Sequence, residues 1–335
     1  MVYFRVRPWY KKQTAKQLVY YGTATALSSK RGALAATTIG DYALFGGGCA
    51  DEIPYDEKSA VDAYNTSLTR SIPTALNKAR ALLAATSVGN YALFGGGYNN
   101  YTYSNNVDAY NTSLTRSIPT SLSYSVQKLS AASIGNYALF AGGDTGSVYN
   151  TVNAYDTLLT RTIPTSLNVS KTYFAGTAIG NYALFGGGTT GSASAVVDAY
   201  DTSLVRSLPT ALSVARYALT ATSVGNYALF GGGYNSTYSN VVDAYDTSLT
   251  RSTPTALTTA RRDLTATSIG NYALFGGGYT GNKSTVVDAY DASLTRSTPT
   301  ALSKARKYLA ATTVGDYALL GGGEYENVVD VYTLQ

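Results

Sequence analysis

The stretch "GNYALFGGGYNSTYSNVVDAYDTSLTRSTPTAL" at 225–257 holds one short variable loop inside a unit that is otherwise repeated almost verbatim. Its Gly-rich element occurs seven times in the 335-residue chain, at intervals of 45 to 49 residues. A fixed period of this size is typical of a repeat architecture. The seven copies are Gly46–Gly48, Gly95–Gly97, Ala141–Gly143, Gly186–Gly188, Gly231–Gly233, Gly276–Gly278 and Gly321–Gly323.

Each repeat carries the signals of four short β-strands. In the fifth repeat, "RYALTATSVG" (Arg216–Gly225) supplies the first strand, and "NYALFGGG", "VVDAYD" and "SLTRST" supply the others. Small apolar, β-branched and aromatic residues are bounded there by Gly, Asn, Asp, Ser and Pro, as strands usually are. Seven such units predict an all-β fold, a seven-bladed β-propeller of four-stranded antiparallel blades.

The two ends of the repeat array predict how the ring closes. The last repeat stops at "NVVDVYTLQ" and lacks a fourth strand, whereas "LVYYGTATALSSKR" (Leu18–Arg31) aligns with the end of the first full repeat at Ser67–Arg80. An N-terminal strand that completes the last blade leaves no blade edge unpaired. We therefore predict two parts, a basic aromatic segment at 1–16 and a propeller at 17–335.

The repeats resemble the kelch repeat, in which an apolar strand ending in Gly-Gly is followed by a Tyr-Asp pair, a Trp, a Pro and an Arg that opens the next blade. The match covers roughly residues 18 to 335, and a Gly-Gly pair is present in all seven copies. The tryptophan is missing, and arginines such as Arg70 stand near its place, which indicates a divergent kelch-like subset. The matching Tyr and Pro residues are Tyr64, Tyr110, Tyr155, Tyr200, Tyr245, Tyr290, Tyr332, Pro73, Pro119, Pro164, Pro209, Pro254 and Pro299.

Composition argues against a catalytic or metal centre. The chain has no histidine, which removes the commonest general base and the commonest zinc or copper ligand. Cys49 is the only cysteine and has no histidine to activate it. We expect no catalytic residue, no cofactor and no metal, although acid–base catalysis by carboxylates or tyrosines, as in sugar-epimerising propellers, remains an alternative. Calcium binding by the acids of the first repeat is conceivable, but they lack the spacing of a known loop: Asp51, Glu52, Asp56 and Glu57.

Charge and hydropathy limit the partners. The net charge of +5 is carried by five basic residues in the first sixteen positions, so the remaining chain is neutral and a nucleic-acid partner is not expected. The chain has no classical signal peptide and no apolar run long enough to span a membrane. Localisation is therefore open, and a virion or cell surface would fit. We expect the segment at 1–16 either to dock on a larger assembly, with Trp9 as an anchor, or to form a solvated basic tail.

The two ends of the blades differ in how much their sequences vary among the repeats. Turns such as "SIGN" and "YDTSLTR" scarcely change, whereas the loops between the second and third strands differ in every copy. Tyr, Ser, Asn, Thr and Gly dominate these loops, which is the composition of antibody paratopes. The variable loops are therefore a candidate recognition surface, with neutral drift as the alternative. The candidate ligand-binding tyrosines are Tyr98, Tyr101, Tyr103, Tyr149, Tyr234, Tyr238, Tyr279 and Tyr325.

A second candidate is a ring of cations at the start of the innermost strands, where we expect side chains to rim the central channel. Six cations there could clamp carboxylate, sulfate or phosphate groups. In kelch propellers that bind acidic peptides, arginines at similar places take part in binding, as the resemblance implies here. The alternative is that each cation pairs with an acid or stacks on a neighbouring blade. The six cations are Arg31, Arg80, Lys171, Arg216, Arg261 and Arg306, with Val126 at the seventh position.

Recurring aspartates accompany these cations, and we interpret them as structural partners within the blades: Asp62, Asp108, Asp198, Asp243 and Asp288. Together the patterns favour a non-catalytic recognition propeller that binds a glycan or an acidic polymer through its variable loops, as in an adhesin or a phage-tail-type receptor-binding module. A scaffold that grips acidic peptides at the arginine ring is the alternative. A sugar-modifying enzyme is the third hypothesis.

Overall fold

The computed structural model describes residues 16–50 and 56–335. These residues form β-strands and turns, with no helix among them, and the strands assemble into seven four-stranded antiparallel sheets. The innermost strands of neighbouring sheets pack side by side all the way round, including β2 (Ala35–Ile39) against β30 (Ala310–Val314). The predicted seven-bladed β-propeller is therefore confirmed.

Each blade runs outward from the central channel in chain order. The innermost strands are β2, β6 (Ala84–Val88), β12 (Ser130–Ile134), β16 (Ala175–Ile179), β20 (Thr220–Val224), β26 (Thr265–Ile269) and β30. The second strands are β3 (Tyr42–Gly46), β7 (Tyr91–Gly95), β13 (Tyr137–Ala141), β17 (Tyr182–Gly186), β21 (Tyr227–Gly231), β27 (Tyr272–Gly276) and β31 (Tyr317–Gly321).

The outermost strands of blades 1 to 6 are only two residues long, whereas the third strands are as long as the inner ones. The third strands are β4 (Val61–Asn65), β10 (Val107–Asn111), β14 (Val152–Asp156), β18 (Val197–Asp201), β24 (Val242–Asp246), β28 (Val287–Asp291) and β32 (Val329–Leu334). The outermost strands are β5 (Arg70–Ser71), β11 (Arg116–Ser117), β15 (Arg161–Thr162), β19 (Arg206–Ser207), β25 (Arg251–Ser252), β29 (Arg296–Ser297) and β1 (Leu18–Ala24). Two loop hairpins add β8 (Tyr98–Asn99) with β9 (Thr102–Tyr103) and β22 (Tyr234–Asn235) with β23 (Thr237–Tyr238).

The N-terminal strand closes the ring as predicted. β1 is the outermost strand of blade 7 and pairs antiparallel with β32, from Leu18 opposite Leu334 to Ala24 opposite Val329. One irregularity falls between Tyr20 and Gly22. Blades 1 to 6 follow in chain order from β2. Of the basic segment predicted at 1–16, all but Lys16 lies outside the described residues, so the docking prediction for it stays a prediction.

The Gly-rich element is needed for close packing between blades. Gly47 has a φ of +67°, and a Cβ there would lie 2.6 Å from the carbonyl oxygen of Arg80 in the next blade. The following residue, Gly48, donates its N–H to that same carbonyl at 2.9 Å. A side chain at this point would push neighbouring blades apart, which explains why every repeat keeps the Gly-Gly pair.

Candidate functional site

The prediction that six cations rim the central channel is wrong, because their side chains are fully buried inside the blades. Each cation forms an ion pair with the third-strand aspartate of its own blade; Arg80 Nη2, for example, lies 2.7 Å from Asp108 Oδ2. The alternative interpretation, in which each cation pairs with an acid, describes the structure. The six pairs are Arg31–Asp62, Arg80–Asp108, Lys171–Asp198, Arg216–Asp243, Arg261–Asp288 and Arg306–Asp330.

These pairs fix the blades internally rather than offering charge to a ligand. The Arg80 guanidinium also donates to the Phe94 carbonyl at 3.0 Å, and Asp108 Oδ1 accepts the Asn77 N–H at 2.8 Å. Burial lowers the pKa of the Lys171 ammonium, and the Asp198 carboxylate opposes that shift. The interpretation of the recurring aspartates as structural partners is thus supported by their contacts.

The channel mouth is built by residues two positions further along the chain. They form a closed ring of backbone hydrogen bonds, in which the N–H of each blade donates to the carbonyl of the preceding blade at 2.8 to 3.3 Å. Blade 1 receives its acceptor from blade 7, where Tyr308 O accepts from Ala33 N at 2.9 Å. We call these seven residues the throat: Ala33, Leu82, Lys128, Tyr173, Ala218, Asp263 and Tyr308.

All seven throat residues adopt the left-handed backbone conformation, with φ between 52° and 58°. Glycine is the residue that adopts this conformation without strain, and the chain contains 33 glycines. None stands in the throat, where the seven blades use five different residue types with side chains. Backbone strain that is kept while the side chain changes from blade to blade makes the throat a candidate functional site.

Two adjoining cavities lie at the throat, and residues of the variable loops line one of them. The deeper one, about 210 Å³, is bounded by the throat and by the apolar residues that follow it, such as Leu83 and Phe174. The upper one, about 390 Å³, shares five throat residues with it and is called the funnel here. Its aromatic and polar lining is formed by Tyr98, Tyr103, Tyr173, Tyr308, Tyr325, Gln127, Lys128 and Glu324.

The funnel lies off the ring axis because residues at blades 1 and 2 are small. Gly32 and Ala81 each form a backbone bridge to the first residue of the adjacent variable loop and leave space above the throat. In blade 5 the same position is Tyr217, whose ring packs 5.6 Å from that of Tyr234 and fills the equivalent space. The loop hairpins are otherwise alike, since Tyr98 pairs with Tyr103 as Tyr234 pairs with Tyr238.

The eight predicted loop tyrosines lie between second and third strands, on the face with the funnel, but they play different parts. Tyr98, Tyr103 and Tyr325 line the funnel. Tyr238 continues the blade 5 stack, with ring centroids 5.4 Å from Tyr234 and 6.0 Å from Tyr279. The remaining two sit apart from the cavity, Tyr149 packed on the Tyr124 ring and Tyr101 largely exposed.

Charged side chains concentrate on one side of the throat. Arg262 lies between two aromatic rings, with its guanidinium carbon 5.3 Å from the Tyr234 centroid and 5.7 Å from that of Tyr279. Glu324 bridges two ammonium groups, Lys283 at 2.9 Å and Lys307 at 3.3 Å. Cation–aromatic and ion-pair contacts therefore order these side chains at blades 6 and 7 before a ligand arrives.

The Asp263 carboxyl group of this face has a strongly raised pKa. Burial raises its pKa from 3.8 to about 6, while the nearby Arg262 and Lys307 cations limit the shift and Glu324 adds to it. Burial also raises the pKa of the Tyr173 and Tyr308 hydroxyls, so both remain protonated at neutral pH. The throat thus offers a titratable carboxyl group beside two phenol groups, which can donate and accept hydrogen bonds.

Within residues 16–50 and 56–335, no cluster of three or more His, Cys, Asp or Glu side chains is placed to hold a metal ion. Asp51 and Glu52, half of the acidic set considered for calcium, lie outside these residues. No helix in the described part of the chain combines the length and hydrophobicity needed to cross a membrane.

Sequence reasoning missed the throat, although a signal was present. The two residues after each buried cation change in every repeat, reading Gly-Ala, Ala-Leu, Gln-Lys, Thr-Tyr, Tyr-Ala, Arg-Asp and Lys-Tyr. Both positions differ among the repeats, although they lie between a buried, mostly basic position and an innermost strand that changes little. Comparing repeats position by position would have identified the channel mouth two residues beyond the predicted cations.

No protein-family model and no curated protein matches this sequence. Among solved structures, the chain is similar to that of YjhT, with a TM-score of 0.62 and 11% sequence identity over 93% of this chain and 99% of that chain. A likeness at this identity shows the propeller fold alone, and 774 chains of solved structures match, so the fold does not identify an activity. Membership of the kelch-repeat family stays a prediction.

Proposed function

We propose that this protein is a non-catalytic recognition propeller that binds a glycan in the funnel. One observation carries the proposal: positions that differ among the repeats, five of them in the throat and others in the variable loops of blades 1, 2 and 7, line a single aromatic cavity. The strands of each blade are nearly copied. If the variation were neutral drift in tolerant loops, it would have no reason to include the throat, which is strained and held by seven backbone hydrogen bonds.

The chemistry of the funnel suits a sugar. Five tyrosines provide apolar ring surface for the C–H faces of a sugar, and Gln127, Lys128 and Glu324 provide donors and acceptors for its hydroxyl groups. The volume of about 390 Å³ falls within the usual range of small-ligand pockets, about 300–1,000 Å³. We propose that the rest of the glycan extends over the loop tyrosines.

Acidic-peptide binding at an arginine ring has less support. The six cations invoked for it are buried and already paired, so a ligand carboxylate would have to displace an aspartate from inside a blade. Lys128 lines the funnel, Lys283 and Lys307 contact its lining residue Glu324, and each of the three lysines lies within 3.6 Å of a carboxylate oxygen. A neutral glycan needs no displacement of either kind. Such a module would serve an adhesin or a receptor-binding protein of phage-tail type.

The test is a broad glycan array, probed with the purified protein at low and high salt. We expect neutral glycans to bind with little salt dependence, because stacking on tyrosine is not screened by ions. Hits confined to acidic glycans and lost in salt would favour the lysines instead. Silence across the array would contradict glycan binding and turn attention to a protein partner.

Variants at the throat make the array result specific to the funnel. Tyr308→Ala copies Ala33 and Ala218, which occupy the same backbone position in blades 1 and 5, so the fold should tolerate it. We expect about a tenfold or greater loss of affinity for array hits, as for an anchoring aromatic residue. The matched control is Tyr21→Ala on the outermost strand of blade 7, which should bind like the unaltered protein.

A further inference from the structure

The throat contains one carboxylate, Asp263 of blade 6. The equivalent residues in the other blades are alanine, leucine, lysine or tyrosine. Asp263 helps to line the deeper cavity of about 210 Å³, together with Lys128, Tyr173 and Tyr308. A carboxylate is therefore present at the floor of the funnel in a ring whose other members include no acid.

One oxygen of this buried carboxylate lacks a hydrogen-bond partner in the described part of the chain, although the Tyr308 hydroxyl contributes a hydrogen bond to the group. The Asp263 side chain is 5% exposed, and its Oδ2 atom has no hydrogen-bond partner among the described residues. Its nearest cation is Arg262, with Nε 3.4 Å away and outside hydrogen-bond geometry. Asp243 Oδ2 and Asp288 Oδ2 inside the blades also lack a hydrogen bond of good geometry to the residues described, but each lies much closer to a cation, at 2.8 Å and 2.9 Å from an arginine nitrogen. An unsatisfied buried acceptor is costly and calls for a missing donor.

The surroundings indicate which donor would fit. A cationic ligand group would meet Lys128, Arg262 and Lys307, all positioned around the throat, and would be repelled. An anionic group would be repelled by Asp263 itself. A neutral hydroxyl group avoids both costs, since it can donate to the carboxylate and accept from the Tyr173 hydroxyl.

Building on the proposed glycan-binding function, we infer that the throat is a subsite for the terminal residue of a glycan, with one sugar hydroxyl donating a hydrogen bond to the Asp263 carboxylate. The deeper cavity lies below the funnel and is lined by residues of all seven blades. A glycan can therefore reach it only with one of its chain ends leading. The protein would then select chain ends over internal stretches of a polysaccharide.

The subsite is tested with free monosaccharides, because a single terminal unit should occupy it without the rest of a chain. Glucose, galactose, mannose, fucose and N-acetylglucosamine are titrated at millimolar concentration and binding is followed by ligand-observed NMR. We expect at least one to bind the unaltered protein. Asp263→Ala, which copies Ala218 at the same backbone position, should lose that binding by about tenfold or more, as for a charged hydrogen bond.

The pH dependence separates ligand binding from a purely structural role. The groups facing Asp263 are Arg262, Lys307, Tyr308 and Glu324, with Tyr173 across the throat. Affinity of the unaltered protein should fall as the pH is lowered from 7.5 to 5, because the carboxylate gains a proton near pH 6. Asp263→Asn should remove most of that dependence. The control Asp316→Asn makes the same chemical change at the opposite end of blade 7, where other blades carry asparagine, and should leave the profile unchanged.

The outcomes distinguish this inference from the proposed function. Array hits combined with silence from all five monosaccharides would overturn the terminal subsite and leave glycan binding intact. Equal monosaccharide affinity in Asp263→Ala and the unaltered protein would remove Asp263 from the subsite. A silent array would remove the function on which the inference rests.

Discussion

Two sets of left-handed residues mark opposite ends of the blades, and they differ in how much they vary. At the constant end, six turns between third and fourth strands each place a leucine at φ of 59° to 64°. At the throat, seven residues at φ of 52° to 58° are of five different types. Backbone strain is similar at the two ends, so the difference concerns what the side chains do. The six leucines are Leu68, Leu114, Leu159, Leu204, Leu249 and Leu294.

Packing explains the constant set. Leu204, for instance, packs on a core cluster that contains Phe185 and Tyr200, and the other five leucines have equivalent clusters. Hydrophobic contact offsets the backbone strain at these leucines, and the six turns use the same residue for it. At the throat no common side chain is retained. We conclude that constant positions stabilise the ring and that varied positions shape the funnel, and three predictions test this division.

The largest effect is expected at a constant ion pair. Arg80→Val leaves Asp108 buried without its partner, which should lower the free energy of unfolding by about 3–5 kcal/mol. Blade 3 already carries the neutral version, Val126 with Asn153, and Asn153 Oδ1 keeps the backbone bond from Ser123 at 2.9 Å. Arg80→Val combined with Asp108→Asn should therefore recover most of the loss. Urea denaturation of the single and double variants measures it, and a double variant as unstable as the single one would contradict the division.

A smaller effect, an increase in the free energy of unfolding, is expected for Asp263→Asn. The folded protein raises this pKa from 3.8 to about 6, so the folded state binds the proton more tightly than the unfolded state. The group's contribution to stability is then greatest below pH 4 and is lost as the pH rises through 6. At about 1.4 kcal/mol for each of roughly two pKa units, Asp263→Asn should stabilise the protein by about 3 kcal/mol at pH 8.

The stabilisation by Asp263→Asn should disappear on lowering the pH to 4, where the native side chain is also neutral. Denaturation at both pH values gives the comparison. A variant that is less stable than the unaltered protein at pH 8 would show that Asp263 belongs with the constant, stabilising positions. Gain of stability with loss of sugar affinity would instead mark a residue retained for binding.

The smallest effects compare one residue from each left-handed set. Ala33→Gly relieves strain at the throat and should raise the free energy of unfolding by about 1 kcal/mol or less. Leu204→Gly relieves the same strain but removes a packed side chain, so a net loss of about 1–2 kcal/mol is expected. Thermal or urea unfolding measures both changes. Losses of equal size in the two variants would mean that the throat is held by packing as well.

The fold was predictable from this sequence because each blade is a local unit written seven times. Period, strand signals and the alignment of Leu18–Arg31 with Ser67–Arg80 were sufficient for blade number and closure. The site was less accessible. Arg31 and Ala33 are two residues apart, yet Arg31 is buried in its blade and Ala33 lines the channel mouth, because the backbone is left-handed at Ala33. A pattern of alternating strand positions does not reveal such a turn.

The pKa of Asp263 also depends on residues of a neighbouring blade, which the sequence of one repeat does not reveal. Its raised pKa reflects burial at the throat together with Lys307, Tyr308 and Glu324 of the following blade. The constant residues were easy to predict because they recur from repeat to repeat. Which of the varied residues lie close together became clear only in the three-dimensional structure. The predicted tyrosine loops were on the funnel face, whereas the assignment of the cations to that face was wrong.

Closure of the ring depends on the pairing of β1 with β32, which joins the two ends of the repeat array. Ala33 of blade 1 donates to Tyr308 of blade 7, so the hydrogen-bonded throat is complete only when the two halves of the seam, about 300 residues apart in the chain, have met. Contacts so distant in sequence carry a loop-closure cost and slow folding. A chain in which β1 has not yet paired with β32 lacks the complete ring of throat hydrogen bonds. Any ligand that needs the whole throat would therefore bind only after the ring has closed.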